Sequence, residues 1–288
     1  MFVPRLSRIA GVVLPLVLVA LCVACGSDGS GSSSDTSAPD TASTASGTVG
    51  EVAAADASYC VAALALNTDP GPDIDFATAT PDEIAAGVQS YATDILRPLF
   101  DDLEAEAPAE LNDAVETFGA AIDEVIDTGD PSALESAEVT AASETAHAYD
   151  LAHCGYLEAD VTASDYQFDD VELEYSKGPV SFELTNDGPE VHEMILLKVR
   201  PQVSETAEEL IALPQDEALT KVDIVNTIGP VEPGGTGHMV ADLEPARYIV
   251  ACFLPQGSTS MQALETAQGA PHASLGMFRA ISVDSSPR

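Results

Sequence analysis

The hydrophobic period of this chain changes near residue 160, and that change limits the fold more than any other feature. Before it, over residues 51–158, apolar side chains recur at helical steps. Ile84, Val88, Tyr91, Ile95, Leu99 and Leu103 make one stripe; Leu111, Val115, Phe118, Ile122 and Val125 make a second. Thr80-Pro81-Asp82-Glu83 has the form of a capping box with proline at the first helical position, and Pro98 is expected to kink the helix behind it. Asp130-Pro131 opens a further, Ala-rich helix that runs towards Cys154-Gly155. With the Ala-rich segment around Cys60, this predicts an up-down bundle of four helices. After residue 160 apolar and polar residues alternate, as half-buried strands require. Strands are expected at 171–175, 180–184, 191–199, 221–228, 238–242, 247–253 and 277–283, with an inserted helix over 204–213 capped by Thr206 and Glu209. The fold class is therefore α+β as two domains, a four-helix bundle over 51–158 and an all-β sandwich or barrel over 159–288.

The first residues have the three parts of an export signal. Arg5 and Arg8 form a positive start, residues 9–23 are an almost unbroken apolar run, and Ala24-Cys25-Gly26 follows. The run falls short of the ~20 residues a membrane-spanning helix needs. Val23-Ala24-Cys25 resembles a lipobox, the cleavage and lipidation motif of bacterial lipoproteins, with Cys22 where Leu is usual. Residues 1–24 are thus expected to be a lipoprotein signal peptide. Cys25 is expected to carry lipid, and 25–50, rich in Gly, Ser and Thr, to act as a flexible tether. The chain would then be anchored to the cell membrane and face outside the cytoplasm, towards a periplasm or the cell surface.

Charge and cysteine usage fit that placement. Loss of Arg5 and Arg8 leaves 8 of the 10 Lys and Arg against 48 Asp and Glu, taking the formal charge from −38 to −40. Such a surface repels nucleic acid and anionic headgroups. It is either a solvated acidic coat or a docking face for a cationic partner, such as a redox protein. Of the five cysteines, Cys22 leaves with the signal and Cys25 takes the lipid. Cys60 and Cys154 flank the helical region, and outside the cytoplasm they are expected to pair. Closing so long a loop is worth on the order of 4 kcal/mol. Cys252 is left over, and an unpaired thiol in an exported protein needs an explanation.

Chemistry concentrates in the second domain. His147, Asp150 and His153 suggest a metal, but 147 and 153 lie about 120° apart around a helix and do not converge; they read as partly exposed polar residues. His238, beside a Gly-rich turn, reads as exposed, and Met194, Met239 and Met261 as packing. His192 follows the turn Asn186-Asp187-Gly188, Cys252 ends an apolar strand, and His272 and Met277 precede the last one. Two imidazoles, a thiolate and a thioether are the ligand set of a blue-copper site.

At these residues the sequence resembles the cupredoxins, the family of plastocyanin and halocyanin. The resemblance spans about residues 160–285. It lies in Phe182-Glu-Leu-Thr-Asn-Asp-Gly188 before His192, in Asp242-Leu-Glu-Pro-Ala-Arg-Tyr-Ile-Val-Ala-Cys252, and in His272-x₄-Met277. It implies a Greek-key sandwich holding one copper ion in a type 1 site on His192, Cys252, His272 and Met277. One departure stands out. The family usually presents the cysteine and second histidine from one short loop, whereas here residues 253–271 intervene. That loop must fold back, with a helical turn near 262–267, or the metal site is altered or lost.

The expected function is a membrane-anchored copper protein that transfers single electrons or holds copper. The alternative is a non-catalytic binding or scaffold lipoprotein whose sandwich carries no metal. An enzyme is not expected. A copper oxidase or reductase needs further histidine-rich centres, and the chain has five His and no His-x-His pair. No Gly-x-Ser-x-Gly nucleophile motif occurs either.

Overall fold

The structure is a computed structural model that describes residues 56–72, 74 and 79–285. The expected export signal, Cys25 and the linker to residue 50 lie outside the described residues. Among the described residues no helix is long and apolar enough to cross a membrane.

The first part is helical: α1 (Ala57–Asn67), α2 (Pro81–Tyr91), α3 (Arg97–Glu106), α4 (Asn112–Thr128) and α5 (Ala137–His153). The capping box opens α2, with Thr80 Oγ1 accepting from the Glu83 N–H and Glu83 Oε2 accepting from the Thr80 N–H. A π-helical segment, Ala92–Leu96, joins α2 to α3, so the stretch expected to be one kinked helix counts as two. Pro98 has no N–H for the carbonyl four residues back, and a widened turn just ahead of it absorbs that loss. The extra residue in the turn moves the apolar stripe by one position. Leu96 and Phe100 face the core, while Ile95, expected inside, is 43% exposed. The second stripe holds its register, with Leu111, Val115, Ile122 and Val125 buried. Cys60 of α1 and Cys154 at the end of α5 form a disulfide, and Cys252 is buried and pairs with no cysteine among the described residues.

The second part is a two-sheet sandwich. One sheet has the order β2-β1-β4-β7, from β1 (Leu157–Ser164), β2 (Gln167–Asp169), β4 (Gly178–Asn186) and β7 (Thr236–Leu243). The other has the order β3-β9-β8-β5-β6, from β3 (Glu174–Ser176), β5 (His192–Val199), β6 (Val222–Val231), β8 (Arg247–Ala251) and β9 (Phe278–Asp284). Phe182, Leu184, Met194, Leu196, Met239 and Val250 fill the space between the sheets. The predicted inserted helix is present as α6 (Ala207–Ile211), with Thr206 and Glu209 as its capping box. Two short helices follow, α7 (Gln215–Ala218) and α8 (Met261–Leu264).

The two parts touch where α1 and α5 meet β7 and β4. The His147 ring stacks on His238 with centroids 3.7 Å apart and planes 4° from parallel, and His147 Nε2 lies 2.8 Å from Ser181 Oγ. His238, expected to be exposed, is only 8% exposed because the helices cover it. Asp150, also expected near the surface, is buried and accepts from Tyr59 Oη at 2.8 Å and Asn67 Nδ2 at 3.3 Å. His153 is exposed, as expected, and sits 3.2 Å from Asp56.

Candidate metal centre

Strand order alone brings three chain segments together. In the second sheet β8 lies between β5 and β9 and runs antiparallel to both. The start of β5, the end of β8 and the start of β9 therefore share one end of the sheet. His192 begins β5, Cys252 directly follows β8, and Met277 directly precedes β9.

His272 arrives by way of the long loop. The loop closes on itself in antiparallel fashion: the His272 N–H donates to Leu254 O at 2.9 Å, Pro255 pairs with Pro271, and the Gln256 N–H donates to Ala270 O at 2.9 Å. The Cys252 carbonyl accepts from the Ala273 N–H at 2.6 Å. Ser260 caps α8, which sits within the loop slightly ahead of the helical turn expected at 262–267. Leu264 from α8 packs into the inter-sheet core and anchors the excursion. The nineteen intervening residues thus form a folded arm whose two ends lie side by side.

The result is a buried convergence. His192 Nδ1 and His272 Nδ1 are 3.2 Å apart, and Cys252 Sγ is 3.4 Å from His272 Nδ1. His192, Cys252 and His272 form a group whose ligand atoms all lie within 4.8 Å of one another. All three side chains are at most 1% exposed. Met277 is also fully buried. Its backbone ties the other segments together, its carbonyl accepting from the Cys252 N–H at 3.2 Å and its N–H donating to the His272 carbonyl at 3.1 Å.

These residues fit a metal ion. Bonds of about 2.0 Å to nitrogen and about 2.3 Å to sulfur, the values for zinc, let one ion reach across separations of 3.2 and 3.4 Å. The electrostatics agree. Burial, reinforced by the neighbouring His272, pushes His192 down to about 4, so its imidazole is neutral and offers a lone pair. Burial also lowers His272, against the pull of Glu190. Burial and Glu193 push the Cys252 thiol well above its ordinary value. A buried thiol of this kind ionises when a cation takes the place of its proton. Among the described residues, the buried His192 Nε2 has no hydrogen-bond partner.

Four supporting residues escaped the sequence reading as a group. Asn186, fully buried, donates from Nδ2 to the Glu190 and Val231 carbonyls and accepts the Gly188 N–H, which shapes the turn before His192. Glu190 accepts from Tyr166 Oη at 2.9 Å, from the Gly257 N–H at 2.8 Å and lies 3.0 Å from His272 Nε2. Burial raises its carboxyl, but the Gly257, Tyr166 and His272 bonds outweigh that and leave it below the ordinary value. The Tyr166 ring lies 4.8 Å from that of His272. Glu193 is buried, accepts the Phe253 N–H at 2.9 Å and is raised to about 7 by burial, with that bond opposing. The available signal was weak: two acids flanking a histidine, in a chain with 48 of them.

No protein-family model and no curated protein matches the chain. Solved structures match it over less than half its length. An auracyanin from the photosynthetic bacterium Roseiflexus castenholzii is 16% identical and covers 44% of this chain and 96% of its own, with a TM-score of 0.29. Auracyanin A, a "blue" copper protein from the green thermophilic photosynthetic bacterium Chloroflexus aurantiacus, is 17% identical over 45% and 100%, at 0.27. A multicopper oxidase of the hyperthermophile Aquifex aeolicus is 16% identical over 46% and 30%, at 0.26. At TM-scores this low the likeness carries no argument about what this chain binds; the buried His192, Cys252 and His272 carry it.

Proposed function

We propose that the C-terminal sandwich is a cupredoxin-like domain that holds one copper ion and transfers single electrons. The observation that carries this reading is the convergence of two Nδ1 atoms and one Sγ in a buried pocket. His192, Cys252 and His272 would form the trigonal set, and Met277 the weak axial ligand that the sequence resemblance implies. Copper in such a site supplies a one-electron couple. The chain's own part is to keep both imidazoles neutral, to exclude water, and to hold the ligand-bearing segments rigid through the Cys252–Met277–His272 backbone bonds. A rigid ligand set costs little rearrangement between valences.

The setting proposed for this domain is the outer face of a membrane, tethered by lipid on Cys25. Its partner would be a cationic redox protein drawn by the acidic surface; nucleic acid is not a partner. The reading is that of a carrier rather than an enzyme, supported by the five histidines of the whole chain.

Copper added to residues 51–288 should give an intense visible band from thiolate-to-copper(II) charge transfer, together with an electron spin resonance signal. Cys252→Ser should abolish the band. Met277→Leu should retain copper and raise the reduction potential, because loss of the axial sulfur disfavours the oxidised ion. Absence of colour and of stoichiometric copper would move the chain to the scaffold reading. Separately, Cys25→Ala should release the protein from membranes; a variant that stays bound and is processed normally refutes the anchor.

A further inference from the structure

His272 is completely buried, and its two ring nitrogens face different worlds. Nδ1 points at His192 and Cys252, while Nε2 lies 3.0 Å from Glu190 Oε2. A carboxylate oxygen accepts and does not donate, so that contact places the ring proton on Nε2 and leaves the Nδ1 lone pair free. Glu190 is itself immobilised. Its Oε1 accepts from Tyr166 at 2.9 Å, and its Oε2 also accepts from the Gly257 N–H at 2.8 Å. Gly257 has φ +97°, a conformation that favours glycine and turns this N–H inward from the loop. Glu190 also lies on the short segment between Asn186 and His192, so one side chain links both histidine-bearing segments.

We infer that Glu190 is a positioning residue: it selects the His272 tautomer, aims Nδ1 at the metal point, and pins the 253–271 arm over the centre. This rests on the copper reading for its consequence but not for its geometry. Carboxylates that hold a ligand histidine in this way typically contribute 10–100-fold to metal affinity. A fixed negative charge one imidazole away from the ion also favours the more highly charged oxidation state.

The test uses the full-length protein in detergent with ¹⁵N-labelled histidine. In the metal-free wild type, His272 should show a single tautomer protonated at Nε2. Glu190→Gln keeps an acceptor oxygen and should preserve that tautomer, while Glu190→Ala should give a tautomer mixture. With copper, Glu190→Ala should bind 10–100-fold more weakly. Both variants should have a higher potential than wild type, a shift that a purely structural role would not produce in the folded Gln variant. If wild type takes up no copper while its tautomer still follows residue 190, the inference is supported and the copper reading falls. If copper loads normally but the tautomer, affinity and potential of both variants match wild type, the inference is overturned and the copper reading stands. Should Glu190→Ala fail to fold, an unchanged potential in Glu190→Gln overturns the charge role by itself.

Discussion

Gly188 shows how little room the imidazole of His192 has. A Cβ added there would lie 2.7 Å from His192 Nε2 and 3.3 Å from Asn186 Oδ1. Neither neighbour gives way easily, since Asn186 is fixed by three hydrogen bonds and His192 is fully enclosed. Gly188→Ala should therefore displace the ring, lower stability by about 1–3 kcal/mol as overpacking does, and weaken copper binding. Denaturant unfolding and copper titration of the same sample check both parts. At this scale the convergence of His192, Cys252 and His272 was legible because Cys and His are scarce here and their types declare their chemistry. Glu190 and Glu193 were not, because an acid among 48 acids has no distinguishing mark until burial gives it one.

Among the elements, the disulfide and the candidate metal centre belong to separate hydrophobic cores. Cys60 and Cys154 lie in the helical core, whereas Cys252 and Met277 lie in the inter-sheet core. Replacing both half-cystines with Ala should cost about 2–5 kcal/mol in the helical unfolding transition and leave the visible copper band unchanged. Far-ultraviolet circular dichroism and visible absorption followed through one denaturant series separate the two. The second apolar stripe and the alternation in β4 could be read directly from the sequence. In the first stripe Ile95 lies exposed, although Leu103 is buried as expected, because a π turn adds one residue, which no periodicity count registers. β1 was missed for another reason. Its inward positions include Ala159 and Ala163, small residues that signal a helix as readily as a strand. The 253–271 arm looked like an obstacle to the site because a residue count measures contour length, whereas antiparallel pairing at its base sets the distance between its ends.

The whole molecule carries buried titratable groups of opposite sense at the contact between its two parts. Burial, with His147 adding to it, pushes His238 down to about 3, and burial lowers His147 as well. A depressed histidine stabilises the fold above its ordinary value of 6.5, and that contribution is lost as pH falls towards about 3. Asp150 behaves in the opposite way. Burial raises it to about 6 against the Tyr59 and Asn67 bonds, so its contribution is present below 3.8 and lost as pH rises through about 6. His238→Phe, which keeps a ring against His147, should lessen the loss of stability between pH 6.5 and 4. Asp150→Asn should flatten the change between pH 4 and 6. Thermal unfolding of each variant beside wild type at three pH values measures the differences. The enclosure of Cys252 also makes the protein its own clock. Because the thiol is 0% exposed, a thiol reagent in excess can react only as often as the surrounding structure opens. The labelling rate, at saturating reagent, then reads the opening frequency directly. That frequency is a lower bound on how often the pocket opens widely enough for a small ion to pass.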